Sequence, residues 1–178
     1  MRELIERYVR ELVKIPSTSN TETEKSCADY IAEELAKQPY FKEYPEQTGK
    51  YLLPDDSLGR SVPWGMVKGN GGSRKTIILT GHYDVVDTEE YGNERALAYD
   101  VEKWEDLVKS GNALPGMPEE VKEDFLSGEW MFGRGTADMK GGLSVGLALL
   151  DWYGKLVVEA ERKDCGTAAF ETKTASGT

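Results

Sequence analysis

One histidine stands among 178 residues, so any imidazole chemistry in this chain must use His82. It follows the apolar run Ile77-Ile78-Leu79 and then Thr80-Gly81, at what reads as the C-terminal end of a strand. In open α/β sheets that edge collects ligands, because the loops there converge on a crevice. Asp84 lies two residues further on. In extended backbone, positions i and i+2 face the same side, so the carboxylate can approach the ring. There it can accept a hydrogen bond from the ring nitrogen that binds no metal, fixing the tautomer and raising the basicity of the other nitrogen. Alone, His-x-Asp is short enough to be an ordinary strand-end histidine beside a solubilising aspartate.

The segment Gly133-Arg134-Gly135-Thr136-Ala137-Asp138-Met139-Lys140-Gly141-Gly142 changes that weighing. Its first two glycines permit a tight, open turn, and Asp138 then falls at the beginning of a buried helix. A carboxylate has two oxygens, so one aspartate held there can bridge two metal ions. A dinucleotide fingerprint is the rival reading of the glycines, but Asp138 stands where the third glycine belongs and would repel a pyrophosphate. A phosphate loop at Gly69–Thr76 fails as well. Arg74 precedes Lys75 where glycine is required, and a strand rather than a helix is expected to follow.

The elements that must hold these residues can be read from periodicity. Leu4, Ile5, Tyr8, Val9, Leu12 and Val13 give residues 2–14 one apolar face of a helix, which Pro16 stops before the polar loop Ser17-Thr18-Ser19-Asn20. A second helix is expected from Thr21 or Thr23 to about Lys37, with Ala28, Ile31, Ala32 and Leu35 inward. Residues 38–61 read as irregular, with at most a short strand. Strands at 62–68 and 76–80 flank the turn Gly69-Asn70-Gly71-Gly72-Ser73, and the unbroken run Ile77-Ile78-Leu79 suits a strand covered on both faces. Residues 88–127 form a polar insert with helices near 101–109 and 118–126. Trp130-Met131-Phe132 is a short buried piece, and a helix from Met139 carries Leu143, Leu147 and Leu150 to an end near Gly154. Beyond it, 155–160 suits a strand, and 161–178 show no clear period.

Composition narrows the classes. The net charge of -10 argues against a nucleic-acid backbone or an anionic membrane as partner. Cys27 and Cys165 form no C-x-x-C pair, so free thiols in a reducing cytoplasm are expected rather than a disulfide framework or a cysteine zinc site. The N-terminus lacks the apolar core of a signal peptide, and no run reaches the length of a membrane span. A soluble cytoplasmic protein is the default expectation.

Thr80-Gly81-His82-Tyr83-Asp84-Val85-Val86 and the Gly133–Gly142 segment together resemble the paired signatures of the co-catalytic zinc metallopeptidases. Aminoacylase, glutamate carboxypeptidase, acetylornithine deacetylase and succinyl-diaminopimelate desuccinylase belong to that family. Leu12-Val13-Lys14-Ile15-Pro16-Ser17-Thr18-Ser19 is similar to its first helix and loop, and the resemblance covers roughly residues 1–153. Asp87, the polar insert and Ser127-Gly128-Glu129-Trp130-Met131-Phe132 look most like the branch associated with arginine utilisation.

The resemblance implies an α/β fold, the N-terminal part of a catalytic domain with a mixed, mostly parallel sheet flanked by helices. It implies that His82 binds one metal, that Asp138 bridges two, and that Asp84 orients His82 as a catalytic acid. The metals would be zinc, with cobalt or manganese as substitutes, and the substrate a small amino-acid derivative or short peptide. The family's catalytic glutamate falls near Glu171, but Thr172 stands where its metal-binding glutamate neighbour belongs. No histidine follows His82 to supply a later ligand, and the lid or dimerisation domain has no counterpart. Residues 1–154 are therefore expected to be a partial catalytic domain, with 155–178 a truncated or frameshifted tail. The expected function is a metal-dependent amide or peptide hydrolase whose fragment is inactive alone. The alternatives are a non-catalytic metal-binding or interaction module and a fragment that misfolds by itself.

Overall fold

Pro16 and Pro39 punctuate the first part of the chain: one helix ends before Pro16, one lies between the two prolines, and a third begins at Pro39. The computed structural model describes residues 1–111 and 116–164. Helix α1 spans Arg2–Lys14, α2 Thr23–Lys37 and α3 Pro39–Glu43. Pro39 sits in the first turn of α3, where its missing N–H costs nothing. A two-stranded antiparallel sheet follows, β1 Thr48–Leu52 paired with β2 Ser61–Gly65. The insert carries a kinked 3-10 segment Glu89–Leu97, then α4 Val101–Lys109 and α5 Glu119–Ser127. Asp100 caps α4 by accepting from the Lys103 N–H at 3.0 Å. A single π-type turn Thr136–Lys140 leads into α6, Gly141–Asp164.

Helix α1 serves two cores because its apolar residues come in adjacent pairs. Tyr8 and Leu12 join Cys27, Ile31 and Leu35 of α2, Tyr40 and Phe41 of α3, and Leu147, Ala148 and Val158 of α6. Val9 and Val13, one step round the helix, pack instead on Val101 of α4. The insert closes its own cluster of Leu97, Trp104 and Phe125, with Phe132 against it. The Trp104 indole donates to the Leu97 carbonyl at 2.8 Å, so the ring is buried without leaving its N–H unpaired. No helix among the described residues is long and apolar enough to cross a membrane.

Two expectations are corrected here. No mostly parallel sheet forms among the described residues: the one sheet is antiparallel, and the only parallel contact is an isolated bridge between Thr18 and Val85. The segment expected as a strand at 76–80 pairs with no strand among the described residues, and Ile77 and Ile78 are 88% and 81% exposed. A parallel strand takes its hydrogen bonds from distant segments alongside it. None of the described residues runs there, so the apolar run lies open.

The second correction concerns Gly154, which does not end α6. A Cβ there would stand 2.6 Å from the Tyr40 Cβ, so the glycine is the contact that lets α6 lie against α3. Val158, beyond it, is buried in the main core. Glycine inside a helix costs about 1 kcal/mol, and close packing offsets it. Gly154→Val should therefore destabilise the chain by about 2 kcal/mol through overpacking, read as a lower urea midpoint. An unchanged midpoint would mean that α6 does not bear on Tyr40 in solution. Residues 165–178, with Glu171 and most of the expected tail, lie outside the described residues.

Candidate metal centre

The chain positions His82 by pairing its segment with the loop after α1. Val85 N–H donates to the Ser17 carbonyl and Ser19 N–H to the Val85 carbonyl, both at 2.9 Å. The buried Ser17 hydroxyl donates to the Tyr83 carbonyl at 2.5 Å, and the Tyr83 hydroxyl to the Ser61 carbonyl at 2.9 Å. Loop, histidine segment and β2 are thus tied by four hydrogen bonds. The Asp138 turn is fastened to the same loop: Lys140, fully buried, donates its ammonium to the Ile15 carbonyl at 2.6 Å. Gly135 permits the approach. Its φ is +83°, and a Cβ would stand 2.7 Å from Cγ1 of Val85. The Asp138–Met139 peptide bond is cis.

These ties place His82 between two carboxylates. Its Nε2 stands 2.8 Å from Oδ1 of Asp138. Its Nδ1 faces the other way, 3.0 Å from the Asp84 carbonyl and 3.2 Å from Asp84 Oδ1. The Ser19 hydroxyl donates to the remaining Asp84 oxygen, Oδ2, at 2.6 Å. His82, Asp84 and Asp138 therefore come together across 56 residues of sequence, with one ring nitrogen given to each carboxylate. Burial lowers the His82 pKa, but the Asp84 carbonyl and the two carboxylates outweigh it, and the net direction is up. The Ser19 hydroxyl is the chief reason that the Asp84 carboxyl lies below its ordinary range.

The donor set suits zinc in kind and falls short in number. One imidazole nitrogen and one carboxylate oxygen stand side by side on an open face, with the Asp138 side chain 87% exposed. Zinc takes such donors at about 2.0–2.2 Å, and a catalytic site has three protein ligands. Among the described residues no cluster of three or more His, Cys, Asp or Glu side chains is arranged to hold a metal. The residues fit as part of a site.

Ser17, Ser19 and Lys140 were not singled out as site residues from the sequence. Ser17 and Ser19 read only as a polar loop, and their partners lie more than 60 positions away. Lys140 carried a usable signal, since a lysine at the entry to an apolar helix needs a buried acceptor or an escape to water.

Comparison with known proteins fits the two motifs. The chain is 36% identical to protein RocB of Bacillus subtilis (strain 168) over 148 residues, 83% of this chain and 25% of RocB. By sequence, the chain is similar to RocB over most of its own length. It is also 36% identical over 141 residues to the uncharacterized protein YqjN of the same strain, 79% of this chain and 24% of YqjN. The chain thus spans about a quarter of the length of the curated relatives it matches. No family profile and no solved structure matches it. The RocB-like stretch takes in both motifs and the insert between them, in keeping with the branch resemblance read from Asp87 and Ser127–Phe132.

Proposed function

We propose that the RocB-like parent protein is a metal-dependent hydrolase cleaving an amide or peptide bond in a small amino-acid derivative, in the context of arginine utilisation. This chain carries the first part of its site. His82 Nε2 and the Asp138 carboxylate would hold the metal, and Asp84 holds the ring by its Nδ1. The observation that carries the reading is the split use of the His82 ring, Nε2 towards Asp138 at 2.8 Å and Nδ1 towards Asp84. A surface histidine needs no such arrangement, whereas a metal-ligating one has its second nitrogen held in this way. When bound, a pair of zinc ions acidifies water and polarises a carbonyl oxygen, so the protein need supply no covalent nucleophile.

With one histidine, and no general-base glutamate beside it among the described residues, the 178-residue chain is expected to bind zinc and not to turn over substrate. The sole histidine makes this measurable. Zinc should move the ring nitrogen resonances of His82, and acyl-amino acids and dipeptides should remain intact. Resonances that ignore zinc would sink the metal reading and favour an interaction module. Hydrolysis by the chain alone, lost in Asp138→Ala, would overturn the incomplete-site reading.

A further inference from the structure

An outer-sphere carboxylate orients a histidine only if its own rotation is fixed. Asp84 has two oxygens, and rotation about its Cβ–Cγ bond exchanges them before the ring. One is engaged: Ser19 Oγ donates to Oδ2 at 2.6 Å, while its other acceptor, the Val85 carbonyl, is farther at 3.2 Å. Oδ1 is thereby left facing His82 Nδ1 at 3.2 Å. Ser19 is itself held, because its own N–H donates to the Val85 carbonyl and Val85 N–H to Ser17. The hydroxyl therefore approaches Asp84 from a backbone that is itself hydrogen-bonded to Val85. The chain of contacts runs Ser19, Asp84, His82, Asp138, with each link a hydrogen bond or close ionic contact.

We infer that Ser19, on the loop after α1, is a positioning residue of the metal centre, acting through Asp84 to set the His82 ring. The inference rests on the proposed metal-binding role of His82 for its purpose, although the positioning itself does not. It enlarges the site from two motifs to three, adding the loop Ser17-Thr18-Ser19.

The test uses the whole chain and the two ring protons of its only histidine, observed at mildly acid pH where the ring carries both. In Ser19→Ala the Nδ1 proton should move upfield and exchange faster with water, while the Nε2 proton, facing Asp138, stays where it was. A merely structural loss would disturb both protons and the amides of Ser17, Ser19 and Val85. Ser19→Thr keeps the hydroxyl and should restore the Nδ1 signal. Zinc affinity should fall about ten-fold in Ser19→Ala, as for other outer-sphere partners of a metal-binding histidine, and recover in Ser19→Thr. An Nδ1 proton identical in wild type and Ser19→Ala would overturn the inference, whatever zinc does. A shifted Nδ1 proton in a chain that ignores zinc would uphold the positioning and defeat the metal reading instead.

Discussion

Asp138→Ala should abolish zinc binding at His82 while leaving the stability of the chain almost untouched. The loss in affinity should exceed the roughly 10–100-fold that removal of an outer-sphere partner costs, because one of the two donors adjacent among the described residues disappears. The stability side follows from exposure. The Asp138 side chain is 87% exposed and the His82 side chain 49%, and ion pairs so open to water contribute little. An unfolding free energy within about 0.5 kcal/mol of wild type is expected. Affinity is read from the zinc-dependent shift of the His82 ring nitrogens, and stability from urea unfolding of the same samples. Asp84→Ala should lie between Asp138→Ala and wild type, since it leaves both donors and the backbone carbonyl's contact with Nδ1, and removes only the carboxylate beside the ring. If Asp138→Ala bound zinc like wild type, the contact between Nε2 and Asp138 would be an ordinary surface hydrogen bond. The metal reading would then lose its main support.

What could be read ahead of the structure was what local pattern decides. Tyr8, Val9, Leu12 and Val13 mark the face of α1, and α4 fell at its expected place, because a helix satisfies its own backbone. Asp138 was found because glycines flag an unusual turn wherever they occur. The failures share a different cause. Ile77-Ile78-Leu79 has the composition of a buried strand, yet burial requires segments that the described residues do not supply. Gly154 looks like a helix stop in one dimension, and only the Tyr40 side chain beneath it reveals a packing contact. Ser19 is one of several serines and threonines in its loop, and nothing in the sequence separates it from Thr18 or Thr21. Its significance arises from a partner 65 positions away.

Lys140 gives the second large effect, and it should appear as a pH dependence. Its side chain is fully buried. Among the described residues the Ile15 carbonyl, 2.6 Å away, is the acceptor of its ammonium. Burial lowers its pKa from 10.5 to about 8, although the Cys27 thiol beside it pushes the other way. Below about pH 8 both folded and unfolded chains hold the proton, and the folded chain bears the full cost of a buried charge. Between about 8 and 10.5 the unfolded chain keeps the proton that the folded chain has released, so this group makes stability rise with pH. The gain across the window is about 3 kcal/mol, at 1.36 kcal/mol for each pH unit separating the two values. Lys140→Met fills a similar volume, removes the buried charge, and leaves the Ile15 carbonyl unbonded at a cost of about 1–3 kcal/mol. At neutral pH these terms nearly cancel, and the two chains should unfold at similar urea concentrations. Near pH 10 the wild type should be the more stable by about 2–3 kcal/mol. Cys27, Tyr8 and Tyr30, whose pKa values burial raises, act in the opposite direction over the same range. Tyr8 and Tyr30 titrate alike in both chains and cancel in the difference, whereas Cys27, coupled to the ammonium, loses its neighbour in Lys140→Met and titrates higher there. Parallel curves would show that the ammonium reaches water in solution and that the clamp between Ile15 and the Asp138 turn is not closed.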